Sequence, residues 1–172
     1  MTFDFQPVLR GDLVRLRPLR GEDFDALFAV ASDPLIWEQH PVKVRFQELH
    51  FRPFFEESLA SGGALIALDA VDGRVIGSSR FHGYDAGKSE VEIGWSFLAR
   101  SHWGGRFNGE MKRLMLGHAF KFVDRVVFLV DPQNRRSQRA VEKIGGLLVG
   151  RRPDAGGRDS FVYEIKGEAF LK

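Results

Sequence analysis

Between Ser89 and Phe122 the spacing of apolar residues changes period. Val91, Ile93, Trp95 and Phe97 alternate with Glu92, Gly94, Ser96 and Leu98, which predicts a strand with the first set on one face and the second on the other. A glycine-bearing turn follows, Ser101 to Phe107. Beyond it Met111, Leu114, Met115, His118, Ala119 and Phe122 recur at three- and four-residue steps, the stripe of an amphipathic helix. Asn108 is the expected N-cap, and Glu110 in the first turn suits the positive end of the helix dipole. The run Val126 to Val130 is short, β-branched and unbroken, as a strand buried on both faces should be. A strand, turn, helix and strand joined by a right-handed crossover make the two strands parallel.

The flanking chain has weaker patterns. Leu13 to Leu19 alternates apolar and basic residues and reads as a half-exposed strand closed by Pro18, followed by a helix over Glu22 to Ala31. Asp33-Pro34 ends that helix, because the residue before proline is pushed out of the helical region. The aromatic segment Leu35 to Pro41 would cover a pocket or pack Trp37 into the core, and the core role is favoured. A second helix is expected over Gln47 to Leu59, with Pro53 tolerated near its start but not deep inside it. Ala64 to Leu68 and Arg74 to Phe81 form a hairpin through Asp72-Gly73, and a polar turn, His82 to Lys88, leads into the central stretch. After Asp131-Pro132 comes a short helix, Arg135 to Ile144, stopped by Gly145-Gly146. Strands over Leu147 to Val149 and Ser160 to Ile165 flank a basic loop, Arg151 to Arg158. With no internal repeat or linker, residues 1–172 read as one α/β domain.

Composition narrows the chemistry. A chain of 172 residues, 44% hydrophobic, is long enough for one packed core and short for two. Lys and Arg exceed Asp and Glu by only 25 to 23, too little to imply nucleic-acid binding. The absence of cysteine excludes a disulfide framework, a thiolate zinc site and a cysteine nucleophile. The N-terminus carries Asp4 and lacks an apolar leader segment, and no run has the length of a membrane span, so a cytoplasmic protein is expected.

The glycine turn feeding a helix N-terminus is an anion site by construction, since the first N–H groups of a helix point out of its end. Adjacent glycines before a helix are also ordinary turn chemistry. Glu92, near the middle of the sheet, could carry a raised pKa and take a proton from an ammonium as general base. The plain alternative is a solvated or ion-paired strand glutamate. His82 and His102 are isolated, and His118 falls on the apolar helix stripe, as a core histidine would. No His, Asp and Glu spacing stands out as a ligand set, so no metal is expected.

Two motifs carry a resemblance. Trp103-Gly104-Gly105-Arg106-Phe107-Asn108, after a strand containing Glu92-Ile93-Gly94-Trp95, resembles the acyl-CoA pyrophosphate loop of the GNAT superfamily of N-acyltransferases. Asn134-Arg135-Arg136-Ser137, continuing to Glu142-Lys143-Ile144-Gly145, is similar to the signature of its RimJ/RimL-type branch, and the order of elements matches over nearly the whole chain. The resemblance implies a mixed, mostly antiparallel sheet with a central splayed parallel pair and flanking helices. It implies acetyl-CoA as co-substrate, its pantetheine arm pairing with backbone around Phe97 and Leu98 and its pyrophosphate on amides from Trp103 to Gly109. Asn134 would anchor backbone and pantetheine, although as N-cap of its helix it also has a purely structural role open to it. Ser137 would protonate the departing thiolate, although a serine there also commonly bonds backbone within the first turn. Arg106 stands where the family usually has glycine, Asn108 where it has a small residue, and Val141 where many members carry a proton-donating tyrosine.

The implied activity is acetyl transfer from acetyl-CoA to a primary amine, either a protein N-terminal α-amine of the ribosomal type or a small-molecule amine. A non-catalytic acyl-CoA-binding or regulatory module is the rival, strengthened by the missing tyrosine. Nucleic-acid binding would rest on Arg135, Arg136, Arg139, Arg151, Arg152 and Arg158, which would serve CoA phosphates equally well. Association into a homodimer stays open.

Overall fold

The computed structural model describes residues 2–172. Eight strands form one continuous sheet. In chain order they are β1 (Leu9–Arg10), β2 (Val14–Pro18), β3 (Ala64–Asp69), β4 (Val75–Asp85), β5 (Glu90–Leu98), β6 (Arg125–Val130), β7 (Leu147–Pro153) and β8 (Asp159–Lys166). They lie side by side as β1-β2-β3-β4-β5-β6-β8-β7. Every neighbouring pair is antiparallel except β5 and β6, which the crossover helix makes parallel. That helix is α3 (Arg106–Ala119); the others are α1 (Phe24–Ala31), α2 (Glu48–Ser61), α4 (Arg135–Lys143) and the short α5 (Gly167–Phe170).

Strand periodicity divides the core in two. Along β3, Leu65 and Ala67 pack with Met111, Met115 and Ala119 of α3, whereas Ala64 and Ile66 pack with Leu27 of α1 and Phe51, Phe54 and Phe55 of α2. Successive side chains of a strand point to opposite faces, so an unbroken apolar run needs a helix layer on each. Trp37 joins the α2-side core: it is buried, donates from Nε1 to the Ala31 carbonyl at 2.8 Å, and packs on Phe97.

Several expectations need correction. The alternation along β5 is interrupted, since Trp95 adopts φ +53° and the register against β4 shifts between Ser78 and Arg80. Val91 and Ile93 therefore face α3, but Phe97 joins the α2-side core and Leu98 returns to the α3 side. A bulge inserts one residue and moves every later side chain to the other face.

Helix α3 begins at Arg106, with Gly105 as its N-cap at φ +102° after Gly104 at φ +114°. These angles favour glycine. Asn108 thus lies inside the first turn, where its side chain accepts from Lys112 rather than capping the helix. Helix α2 runs through Pro53, because its buried Phe51, Phe54, Phe55 and Ser58 hold the face together despite the missing N–H. Strand β4 continues to Asp85 and shortens the anticipated polar turn, while β1 and α5 had no signal in the sequence.

Candidate active site

The two parallel strands pair only at their beginnings, Glu90 with Arg125, Val91 with Val126 and Glu92 with Val127. Beyond Glu92 they separate, and the bulge at Trp95 carries β5 away from β6. A cleft of 560 Å³ opens there, walled by β5, β6, α3 and α4 and by the segment that carries Trp37 and Arg45. Such a split leaves sheet backbone facing open space, where an extended ligand can pair as an added strand. Phe97 itself pairs with Ser78 of β4, and the Leu98 carbonyl accepts from Trp103 Nε1 at 2.9 Å.

The glycine turn forms a rim of this cleft rather than its lining. Trp103 is 39% exposed, and its ring carries the guanidinium of Arg136 at 4.3 Å. Gly104 and Gly105 bring the chain into α3 with the helix-start N–H groups directed outward, and Arg106 is exposed beside them. The Glu110 carboxylate is held elsewhere: it accepts from the N–H groups of Asp12, Leu13 and Val14 at 3.1, 2.7 and 2.7 Å. Phe107 packs edge-on against His102 at 4.6 Å. That histidine is clasped between Asp69 Oδ2 at 2.9 Å and Ser101 Oγ at 2.8 Å, which ties the turn to the β3–β4 hairpin. The hydrogen bond from His102 holds the Asp69 carboxyl below its usual range. Gly109 is buried in the first turn and donates to the Gly105 carbonyl.

Among the residues singled out in the sequence, Glu92, Asn108, Asn134 and Ser137 line the cleft together. Glu92 is half-buried, and its removal from water raises its pKa to about 7, against a lowering by Arg152 and Arg80. Asn134 is buried as N-cap of α4, its Oδ1 accepting from the Ser137 N–H at 3.2 Å. The Ser137 hydroxyl makes no hydrogen bond among the described residues, so the backbone-bonding alternative is not realised. His118 is a core histidine, bonded to the Asp4 carbonyl at 2.7 Å among Phe3, Phe81 and Phe122.

Two features escaped the sequence. Lys112 is buried at 4% exposure and donates to Ser96 Oγ at 2.7 Å and Asn108 Oδ1 at 3.2 Å. Burial alone pushes its pKa down to about 7. A signal was available, since Lys112 stands three residues before Met115 and seven before Ala119, on the helix's apolar side. His40 and Arg45, by contrast, sit in an irregular segment whose residue types point to nothing by themselves.

A site with a splayed parallel pair, outward helix-start amides, a near-neutral carboxyl and a free hydroxyl can hold an acylated, phosphate-bearing carrier and move protons at its acyl end. A family model described as an acetyltransferase (GNAT) domain matches residues 14–146. No curated protein matches the sequence. Among solved structures, a protein from T. thermophilus described as an acetyltransferase shares 29% identity and a TM-score of 0.78 over 99% of this chain and 94% of its own. A Vibrio cholerae spermidine N-acetyltransferase, solved with CoA and spermine, shares 15% identity and a TM-score of 0.70 over 94% of this chain and 100% of its own. A second Vibrio cholerae protein, described as a ribosomal-protein-serine acetyltransferase, shares 13% identity and a TM-score of 0.76 over 96% and 99%. At such identities these last two share the fold alone.

Proposed function

The chain belongs to the GNAT acetyltransferase family, and on that premise we propose that it moves the acetyl group of acetyl-CoA to a primary amine within the cleft between β5 and β6. The observation that carries this reading is the opening of the parallel pair immediately after Glu92, with Ser137 on the opposite wall. Amides of Gly105 to Asn108 and the Arg106 side chain hold the CoA phosphates, and Leu98 backbone pairs with the pantetheine. Acetyl-CoA supplies an activated acyl group. Glu92 accepts the proton of the incoming ammonium, for which a pKa of about 7 is well matched at neutral pH. Ser137 donates toward the departing sulfur, a role that a tyrosine at Val141 would otherwise fill. The second motif, Asn134 to Gly145, supports a peptide α-amine as acceptor of the RimJ/RimL type, with small amines as the competing class.

The test is acetyl-CoA turnover against peptides of varied N-terminus beside spermidine and aminoglycosides. Ser137→Ala is expected to lower kcat by about 10²-fold with little change in acetyl-CoA KM. Glu92→Gln should remove the limb of the kcat/KM profile near neutral pH, where the carboxyl titrates in the parent. Tight acetyl-CoA binding with no acetyl transfer to any amine would instead favour the non-catalytic binding module.

A further inference from the structure

The wall of the cleft that carries Trp37 and Arg45 holds a guanidinium with no carboxylate within ion-pair distance among the described residues. Six arginines are buried or half-buried: Arg17, Arg45, Arg80, Arg125, Arg136 and Arg152. Five of them lie within ion-pair distance of a carboxylate, and among the described residues only Arg45 does not. Its guanidinium carbon lies 4.3 Å from the centre of the Phe54 ring and 5.3 Å from that of Trp37, and the residue lines the cleft. Its Nε is buried and makes no hydrogen bond. Glu57, the acid whose charge acts on it, faces Arg80 at 3.5 Å with a side chain 70% exposed.

The side chain nearest the Arg45 guanidinium along its own segment, His40, makes the deficit worse. His40 Nδ1 accepts from the Val42 N–H at 2.9 Å, so in the neutral ring the proton sits on Nε2. The ring is kept neutral, because burial, with Arg45, Arg158 and Lys43 around it, pushes its pKa down to about 3. Nε2–H therefore confronts Nη1 of Arg45 at 3.5 Å, a donor against a donor. Neither can satisfy the other. One oxygen of an anion set between them would satisfy both, and a charge-assisted pair to a guanidinium is among the stronger hydrogen bonds available in a protein.

We propose that Arg45 and His40 form an oxyanion subsite on the acceptor side, so that the amine accepted by this protein also bears a carboxylate or phosphate. The inference rests on the acetyl-transfer reading and sharpens it: amino acids, peptides with an acidic group near the amine, and phosphorylated amines fit, whereas a polyamine brings only positive charge to a corner already occupied by a guanidinium.

Matched acceptors test it. Acetyl transfer is measured for phosphoethanolamine against ethanolamine, and for glycylglycine against glycylglycinamide, in the parent and in Arg45→Gln and Arg45→Lys. The parent should favour the anionic member of each pair by at least about tenfold in kcat/KM. Arg45→Gln should lower kcat/KM for anionic members by about 10- to 100-fold, mainly through KM, with acetyl-CoA KM and the uncharged members unchanged. Arg45→Lys should recover part of the loss. Which pair responds more strongly distinguishes a phosphate from a carboxylate.

A second arm needs no turnover. Inorganic phosphate titrated into the protein should shift the His40 Nε2 resonance in the parent and not in Arg45→Gln. If no amine is acetylated yet phosphate still moves His40, acetyl transfer falls and the subsite stands. If amines are acetylated without preference for anions and His40 is unmoved, the subsite falls alone. Loss of acetyl-CoA affinity in Arg45→Gln would also overturn it, by assigning the arginine to the CoA phosphates.

Discussion

Burial moves Glu92 and Lys112 to about the same pKa from opposite ends, Glu92 up from 4.5 and Lys112 down from 10.5. The consequence for stability has a definite sign in each window. Between about pH 4.5 and 7 the folded protein retains a proton on Glu92 that the unfolded chain has released, so stability from this group falls as pH rises. Between about pH 7 and 10.5 the unfolded chain retains a proton on Lys112 that the folded protein has released, so stability rises again. Urea unfolding across this range should show Glu92→Gln losing the first slope and Lys112→Met the second. Identical pH dependence in parent and variants would mean that both side chains are solvated in the folded protein. Glu92 was legible in the sequence as a central carboxylate. A raised pKa was legible with it, but not its extent, because burial of the carboxyl and the charges of Arg152, Asp154 and Arg80 around it are set by residues distant in the chain.

At the scale of elements, α3 is fixed by a contact its own sequence does not reveal. Glu110 looks like a first-turn acid complementing the helix dipole, but its carboxylate instead collects three N–H groups, from Asp12 and Leu13 in the turn before β2 and from Val14 at its start. The approach is close enough that a Cβ on Gly11 would lie 2.6 Å from that carboxylate. Glu110→Ala should therefore destabilise the protein by at least about 1.5–3 kcal/mol, the range for hydrogen bonds to a charged group, measured by equilibrium unfolding. A cost of only a few tenths would show that water replaces the carboxylate without penalty. This arrangement also removes the local ion pair that Arg106 and Glu110 could have made one turn apart, and leaves Arg106 exposed at the mouth of the glycine turn. The bulge is a second case. Apolar alternation along β5 is compatible with an unbroken strand, and a tryptophan at positive φ is locally unfavourable. Trp95 holds that angle with Arg80 stacked at 4.2 Å and His82 edge-on at 5.2 Å, both from β4.

Across the whole molecule, the cleft is a place where one sheet is left partly unpaired between two helical layers. Acetyl-CoA binding there should raise the unfolding free energy by about 2.7 kcal/mol at a hundredfold excess over Kd. Amide exchange should slow in Gly94 to Leu98 and Phe128 to Val130 together. An unchanged melting temperature at millimolar acetyl-CoA would remove the binding site from the cleft. Most of the strands and helices, the parallel crossover, the glycine turn and Glu92 as a central carboxylate were legible in the sequence alone, because periodicity and turn chemistry act over a few neighbouring residues, while Asn134 and Ser137 were marked by the resemblance of their motif. Only the tertiary structure decided where β5 bulges, which helix face takes Phe97, and that Lys112 is buried beside Ser96. Only it set the Arg45 guanidinium against the Nε2 hydrogen of His40 with no acceptor between. Those features arise from desolvation and hydrogen-bond partners supplied across the fold, and such terms depend on distance in space, which spacing along the chain does not encode.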